Sequence, residues 1–216
     1  MTATDMLKPA EAALVAQVDL RDVHRIFDEH ILPDDLLSAE DGRQVAVSGC
    51  SLISFYFESA GALTSEKRRR VIELAAARLK TLRPRAIGLL AAEDWTMRDA
   101  FLTVDLAPFF EDTRKRMDRL IAARALVVSD PEILGSMLVI RGTRVLVYDV
   151  AAALAQGYSA ASLLEHYPSL NAEQIELAGV YAAANPSRGR PTGRRPLPKG
   201  AVLISEHRVP FRRPAG

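Results

Sequence analysis

The sequence predicts a mainly α fold with small β elements, and three observations carry that prediction. Apolar residues recur at helical spacing in several capped segments between Pro9 and Ala184. The β-branched runs, such as Gln44 to Val47 and Leu138 to Ile140, are only long enough for small strands. From Asn185-Pro186 onward the composition turns to Pro, Gly and Arg, which cannot bury a core and predicts a flexible basic tail. Four regions follow: a helical domain over 1–82 with a helix–turn–helix, a β-hairpin and helix over 83–126, a three-helix module over 127–184, and the tail over 185–216.

In the first region Pro9 suits the first turn of a helix through Ala16, because its missing N–H has no partner there anyway. Gln17-Val18-Asp19 is a turn, and Asp19 is placed to cap a second helix. Leu20, Val23, Ile26 and Phe27 then recur at helical spacing until Pro33 and its aspartates stop the helix. Gln44 to Val47 suggests a short strand, a possible wing. Ser51 to Ser59 and Ser65 to Leu82 read as two more helices, with Thr64 or Ser65 capping the second and Glu66 in its first turn.

In the second region Ala86 to Ala92 and Ala100 to Leu106 look like strands paired around Asp94 to Asp99. Trp95 would then sit in the hairpin tip, as an interface marker or a local core contact. Pro108 to Ala125 is a charged helix with Phe110, Met117, Leu120 and Ile121 on one face. The third region opens with strands at Val127–Val128, Leu138 to Ile140 and Val145 to Val147, the last two joined by a turn at Gly142. Three helices follow: Tyr148 to Ala155 ending at Gly157, Ser159 to His166, and Ala172 to Ala184 capped by Asn171 with Gln174.

The chain of 216 residues carries a net charge of +1, but unevenly. Residues 186–216 hold eight Lys or Arg against one Glu, so their +7 leaves −6 for the rest. A basic tail on an acidic body points to a polyanion or an acidic protein surface. The single Cys50 excludes an internal disulfide framework and a cysteine-cluster metal site, and it fits a reducing cytoplasm. The N-terminal stretch lacks the basic start and apolar run of a signal peptide, and no apolar run is long enough to span a bilayer, so a cytoplasmic chain without membrane contact is expected.

Catalytic chemistry finds little to work with. His24, His30, His166 and His207 are dispersed without zinc-ligand spacing, and phosphate-loop and dinucleotide fingerprints are absent. Pairs such as Glu93-Asp94 and Glu111-Asp112 read as solvated faces. No enzyme activity, cofactor or metal is expected.

The helix–turn–helix points elsewhere. The second helix of such a pair can lie in the DNA major groove. Arg21, Asp22, His24 and Arg25 project from its early turns, and an arginine fork matches a guanine edge. The other reading is an ordinary helical hairpin with a solvated charged face. The stretch PAEAALVAQVDLRDVHRIFDEHIL resembles the N-terminal helix pair of MerR-like DNA-binding domains, over about 25 residues.

A more specific resemblance lies further on. Asp130-Pro131-Glu132, Ile140-Arg141-Gly142-Thr143-Arg144, Val147, Gly157, Tyr167-Pro168 and a last helix through Tyr181 stand in the order found in the antitoxin-type domain of unknown function 433. The chain departs from that pattern at Ser136, where a second glycine is common, and at Leu138 and Leu146, where proline is common. The resemblance implies a homeodomain-like helix–turn–helix module and an antitoxin, in some members of the VapB class, encoded beside a PIN-like ribonuclease toxin. Glu173 and Glu176 on the last helix would repel phosphates, so that helix is a poor DNA reader. Arg141 and Arg144 suit phosphate contact better, or else they serve a tight turn and pair with acids such as Asp130 or Glu132.

The resemblance also implies that the tail binds the toxin. Arg208, Arg212 and Arg213 could meet acidic nuclease residues, with Val202, Leu203, Ile204, Val209 and Phe211 as apolar anchors. A solvated linker or a nonspecific nucleic-acid arm is the alternative. The expectation is thus a homodimeric type II antitoxin that binds operator DNA, represses its own operon and neutralises a toxin, dimerising through the middle hairpin and helix 108–125. A stand-alone transcription regulator and an interaction module that never touches DNA are the rivals.

Overall fold

Pro9 opens α1 (Pro9–Ala16), where the Lys8 N–H donates to the Glu11 carboxylate at 3.0 Å. The computed structural model describes residues 5–40, 42–82, 86–129 and 137–187. After the turn comes α2 (Leu20–Asp28), and Val23 and Ile26 are its fully buried positions. A small antiparallel sheet flanks the pair. Its strands β1 (Met6–Leu7), β2 (Leu37–Ser38) and β3 (Gln44–Ala46) lie in the order β1-β3-β2. The β2–β3 hairpin follows α2 after a 3-10 turn at Asp34–Leu36, where the sequence suggests a wing.

Next comes α3 (Val47–Glu58), buried from Val47 through Tyr56. It starts four residues before the expected Ser51. Ser48, Gly49, Cys50 and Ser51 are weak helix formers, but burial on all sides overrides propensity. Smallness is required at Gly49, where a Cβ would come within 3.1 Å of the Val45 side chain. The fourth helix, α4 (Ser65–Leu82), has the expected bounds, with the Thr64 hydroxyl accepting the Lys67 N–H at 3.4 Å.

The middle region departs from expectation. Ala86 to Ala92 is not a strand: Ile87–Ala91 forms a short helix, α5. Its buried residues Ile87 and Leu90 stand three apart, and an Ala/Leu-rich run with one β-branched residue has little reason to extend. The hairpin is β4 (Thr96–Asp99) paired with β5 (Leu102–Asp105), Thr96 opposite Asp105. Trp95 is consequently core. It is fully buried, stacks on Phe110 with ring centroids 3.8 Å apart, and donates its indole N–H to the Leu90 carbonyl at 2.6 Å.

The long helix α6 (Ala107–Leu126) bridges two apolar cores. Its Phe110, Met117 and Leu120 belong to the core built by α1 to α5. Leu126, at its end, packs on a second core of Ile140, Val147, Val150, Leu163, Leu170, Ile175 and Ala178. The second core's elements are β6 (Val127–Ser129), β7 (Leu138–Ile140), α7 (Val147–Ala155), α8 (Ala160–His166) and α9 (Ala172–Ala184). A strand at Val145 to Val147 was also expected there. Only a single bridge, Val139 to Leu146, forms, because Val147 is already the first residue of α7.

The caps of this region match their residues. Gly157 takes φ of +89° after α7, a value glycine adopts without strain. Ser159 accepts the Ser162 N–H at 3.1 Å, and Asn171 and Gln174 cap α9 reciprocally at 2.8 and 2.9 Å. α9 packs not only on α7 but also on α6 and α1. Among the described residues no helix is long and apolar enough to cross a membrane.

Candidate nucleic-acid interface

The α1–α2 pair is set by its turn. Gln17 takes the left-handed conformation (φ 56°, ψ 48°), while the Val18 N–H closes back on the Ala13 carbonyl at 3.0 Å. Two neighbours hold this turn. Ser54 of α3 donates to the Ala16 carbonyl at 2.9 Å, and Arg116 of α6 donates to the Val15 carbonyl and the Gln17 side chain. Asp19 occupies the N-cap position of α2, but its side chain makes no capping bond. Its carbonyl instead accepts the Asp22 and Val23 N–H groups at 2.9 and 3.2 Å.

Because Val23 and Ile26 point inward, the helical period puts Arg21 and Arg25 on the outer face of α2, both exposed. His24 and Asp22 flank them, half-buried. Arg21 has no ion pair among the described residues. Arg25 pairs with Glu29 at 2.6 Å and lies 5.9 Å from the centre of the Phe57 ring. Hydrogen bonding to Arg25 holds the Glu29 carboxyl below the usual carboxylate range, and the same bond raises the Arg25 guanidinium.

Two further arginines, which the sequence analysis did not single out, complete the surface. Arg43 follows Gly42 in the β2–β3 loop and reaches back to α2. It pairs with Asp28 at 2.6 Å, lies over Phe27 at 5.3 Å and comes within 3.4 Å of a His24 ring nitrogen. Arg69 of α4 donates to the His30 and Glu29 carbonyls at 3.0 and 3.1 Å and so satisfies the C-terminal end of α2. An Arg after a Gly in the loop following a helix pair could have flagged Arg43. The Arg69 contact spans about forty residues, and no local pattern announces it.

The C-terminal module is arranged differently. Arg141 donates to the Ala125 carbonyl at 2.9 Å and closes the end of α6; Arg144 is exposed. Asp130 and Glu132, the acids expected near them, lie outside the described residues. On α9, Glu173 and Glu176 are exposed, and Glu176 is bound by Arg119 of α6 at 2.7 Å. The tail positions Val202, Leu203, Ile204, Arg208, Val209, Phe211, Arg212 and Arg213 also lie outside the described residues. Cys50 is fully buried, and burial pushes its thiol up to about 12. No cluster of three or more His, Cys, Asp or Glu able to hold a metal occurs among the described residues.

An open groove of about 1070 Å³ runs beside the helix pair. Leu14, Val18, Leu20 and Phe57 lie along it, together with Ala183 in the last turn of α9 and Pro186 beyond it. Leu20 at the start of α2 is 43% exposed.

Residues 127–182 match the family described as "Protein of unknown function (DUF433)", in agreement with the resemblance carried by the motifs from Asp130 to Tyr181. Over 212 residues the chain is 52% identical to the uncharacterised protein y4eO of Sinorhizobium fredii, covering 98% of this chain and 96% of that protein. No solved structure matches the chain. The similarity to y4eO runs through the helix–turn–helix, the bridging helix and the C-terminal module alike, so the chain belongs to the family of y4eO and carries a DUF433 region at 127–182.

Proposed function

We propose that this protein is a DNA-binding regulator that reads its operator through α2, and that it acts as a type II antitoxin of the VapB class. The observation that carries the DNA reading is the outer stripe of α2: Arg21 and Arg25, with His24 between them and Arg43 of the adjoining hairpin beside them. A helix–turn–helix followed by a β-hairpin with arginines on both is the arrangement expected of a MerR-like winged reader. Arg21 is the best placed for a base edge or phosphate, since no carboxylate holds it. The antitoxin part rests on the DUF433 region and the basic tail, with residues 202–213 engaging a PIN-like ribonuclease toxin. The protein is then a cytoplasmic homodimer, without catalytic activity of its own, whose two α2 helices meet successive major grooves.

A second reading has its own support. α2 carries two arginines and two aspartates, and Asp28 and Glu29 engage Arg43 and Arg25. An α2 face neutralised this way suits a protein-interaction module that never touches DNA. Replacing Arg21 and Arg25 by Ala and titrating the upstream DNA of its own operon in a gel-shift assay separates the two. DNA reading requires that the shift be lost. A full-length protein that never shifts that DNA, with or without the substitutions, supports the interaction module.

A further inference from the structure

We propose that the groove beside the α1–α2 turn is a docking site for a cationic amphipathic segment of a partner protein. Its shape is the first argument. About 1070 Å³, open along one side, is more than a typical buried small-ligand pocket and fits a helix or extended segment laid into it. Its chemistry is the second. The apolar floor of Leu14, Val18, Leu20 and Phe57 offers anchoring surface, and Leu20 is 43% exposed.

Charge complementarity selects the occupant. The groove's charged lining residues are all acidic: Asp19, Asp22 and Glu58. None of the three has an ion pair among the described residues, whereas many exposed acids elsewhere, such as Asp28, Glu73, Glu111 and Glu176, are paired. An acidic rim around an apolar floor suits a segment that presents leucine-like side chains to the floor and Lys or Arg to the rim. The arginine stripe of α2 and this groove are therefore two surfaces of one helix pair. Arg21 faces outward, Leu20 and Asp22 line the groove, and Arg25 lies at its edge, 5.9 Å from the centre of the Phe57 ring. The groove also touches Ala183 and Pro186, so its occupant would contact both the helix–turn–helix and the end of α9. The assignment stands on the groove itself and does not depend on α2 reading DNA.

The test uses the full-length protein and a fluorescein-labelled model peptide of Leu and Lys at helical spacing, followed by anisotropy at physiological salt. Binding should weaken at least tenfold when Asp19→Asn, Asp22→Asn and Glu58→Gln are combined, and several-fold with Leu20→Ser alone. The same peptide with Glu for Lys should not bind. Arg21→Ala should leave peptide affinity unchanged, so a failure of the DNA reading and a failure of this proposal give different results. Combining Glu66→Gln, Glu165→Gln and Glu173→Gln removes equal charge from exposed sites elsewhere. Equal weakening by that variant would mean unspecific attraction and overturn the proposal. So would higher peptide affinity after Arg208→Ser, Arg212→Ser and Arg213→Ser in the full chain, because the chain's own basic residues would then be the groove's ligand.

Discussion

The chain contains two helical modules with short turns, one near each end of the described residues, and they put their last helices to opposite uses. In the first, α2 buries Val23 and Ile26 and leaves Arg21 and Arg25 facing outward. In the second, α9 buries Ile175, Leu177, Ala178 and Ala184, packs on α7, α6 and α1, and has its outward Glu176 bound by Arg119. Similar helix positions in the two modules therefore leave different faces free. What counts is which face remains free and what charge it carries. α6 connects the two modules and ties each to itself: Arg116 holds the first turn, Arg124 reaches the buried Glu11 at 2.6 Å, and Arg119 holds α9.

The largest expected effect tests whether that connection makes the modules one cooperative unit. Ile175 is fully buried in the second core, and Ile175→Ala should cost about 3 kcal/mol. Cys50 is fully buried in the first core and, with its thiol pushed up to about 12, should resist alkylation in the native protein at pH 8. If both cores open together, the distant Ile175→Ala substitution should speed Cys50 alkylation by about 100-fold, since 1.4 kcal/mol is a factor of ten. Unchanged alkylation alongside a lowered melting temperature would show that the modules unfold separately, and α6 would then be a tether without mechanical coupling.

The second effect sharpens the contrast in surface use. Arg21→Ala and Arg25→Ala should each weaken operator binding about tenfold or more, and together reduce the slope of log affinity against log salt by about two. Stability should stay within about 0.5 kcal/mol, because both side chains are exposed. The same measurement on Glu173→Gln should show no loss of affinity. A strong loss there would reverse the assignment and make α9 the reader.

The parts of this arrangement legible in the sequence are the local ones. Ser159, Gly157 and the Asn171–Gln174 pair act within a few residues of themselves, and the structure uses all of them as the sequence suggests. The same holds for the turn at Gln17 to Asp19 and the bounds of α4. What was not legible depends on distant partners. Ala86 to Ala92 reads as a strand because its apolar run is continuous, and packing of Ile87 and Leu90, together with its Ala/Leu composition, makes it a helix. For Trp95 the sequence leaves an interface marker and a local core contact both open, and only Phe110 brought against it decides for the core. The hold of Arg116 on the first turn and the groove require α6 and α9 beside α1–α2, and the Arg119–Glu176 pair requires α9 beside α6, across about a hundred residues in the case of Arg116 and Arg124.

A smaller effect separates the two kinds of ion pair. Arg119 and Glu176 are each more than half exposed, so Arg119→Ala should lower stability by about 0.5 kcal/mol or less and the difference should vanish in high salt. Denaturant titration at low and high ionic strength measures this. A loss of 2 kcal/mol that persists in high salt would show that the arginine's stem, rather than its charge, holds α9 against α6.

The smallest effect concerns Arg25, which shares its charge with Glu29 inside one helix end instead of between modules. The Glu29 carboxyl is held below its usual range chiefly by the hydrogen bond to Arg25. A depressed carboxylate pKa contributes stability that is fully present above the unfolded value, about 4.3, and is lost as pH falls through the lower folded value. Carboxyl NMR titration should therefore place the Glu29 midpoint below the usual carboxylate value, and Arg25→Ala should raise it. If DNA competes with Glu29 for the same guanidinium, acidifying through the Glu29 midpoint frees Arg25, and operator binding should tighten slightly in wild type but not in Glu29→Gln. Equal pH profiles in the two proteins would mean that Arg25 stays on Glu29 while DNA is bound, leaving Arg21 and Arg43 as the contacting arginines of this surface.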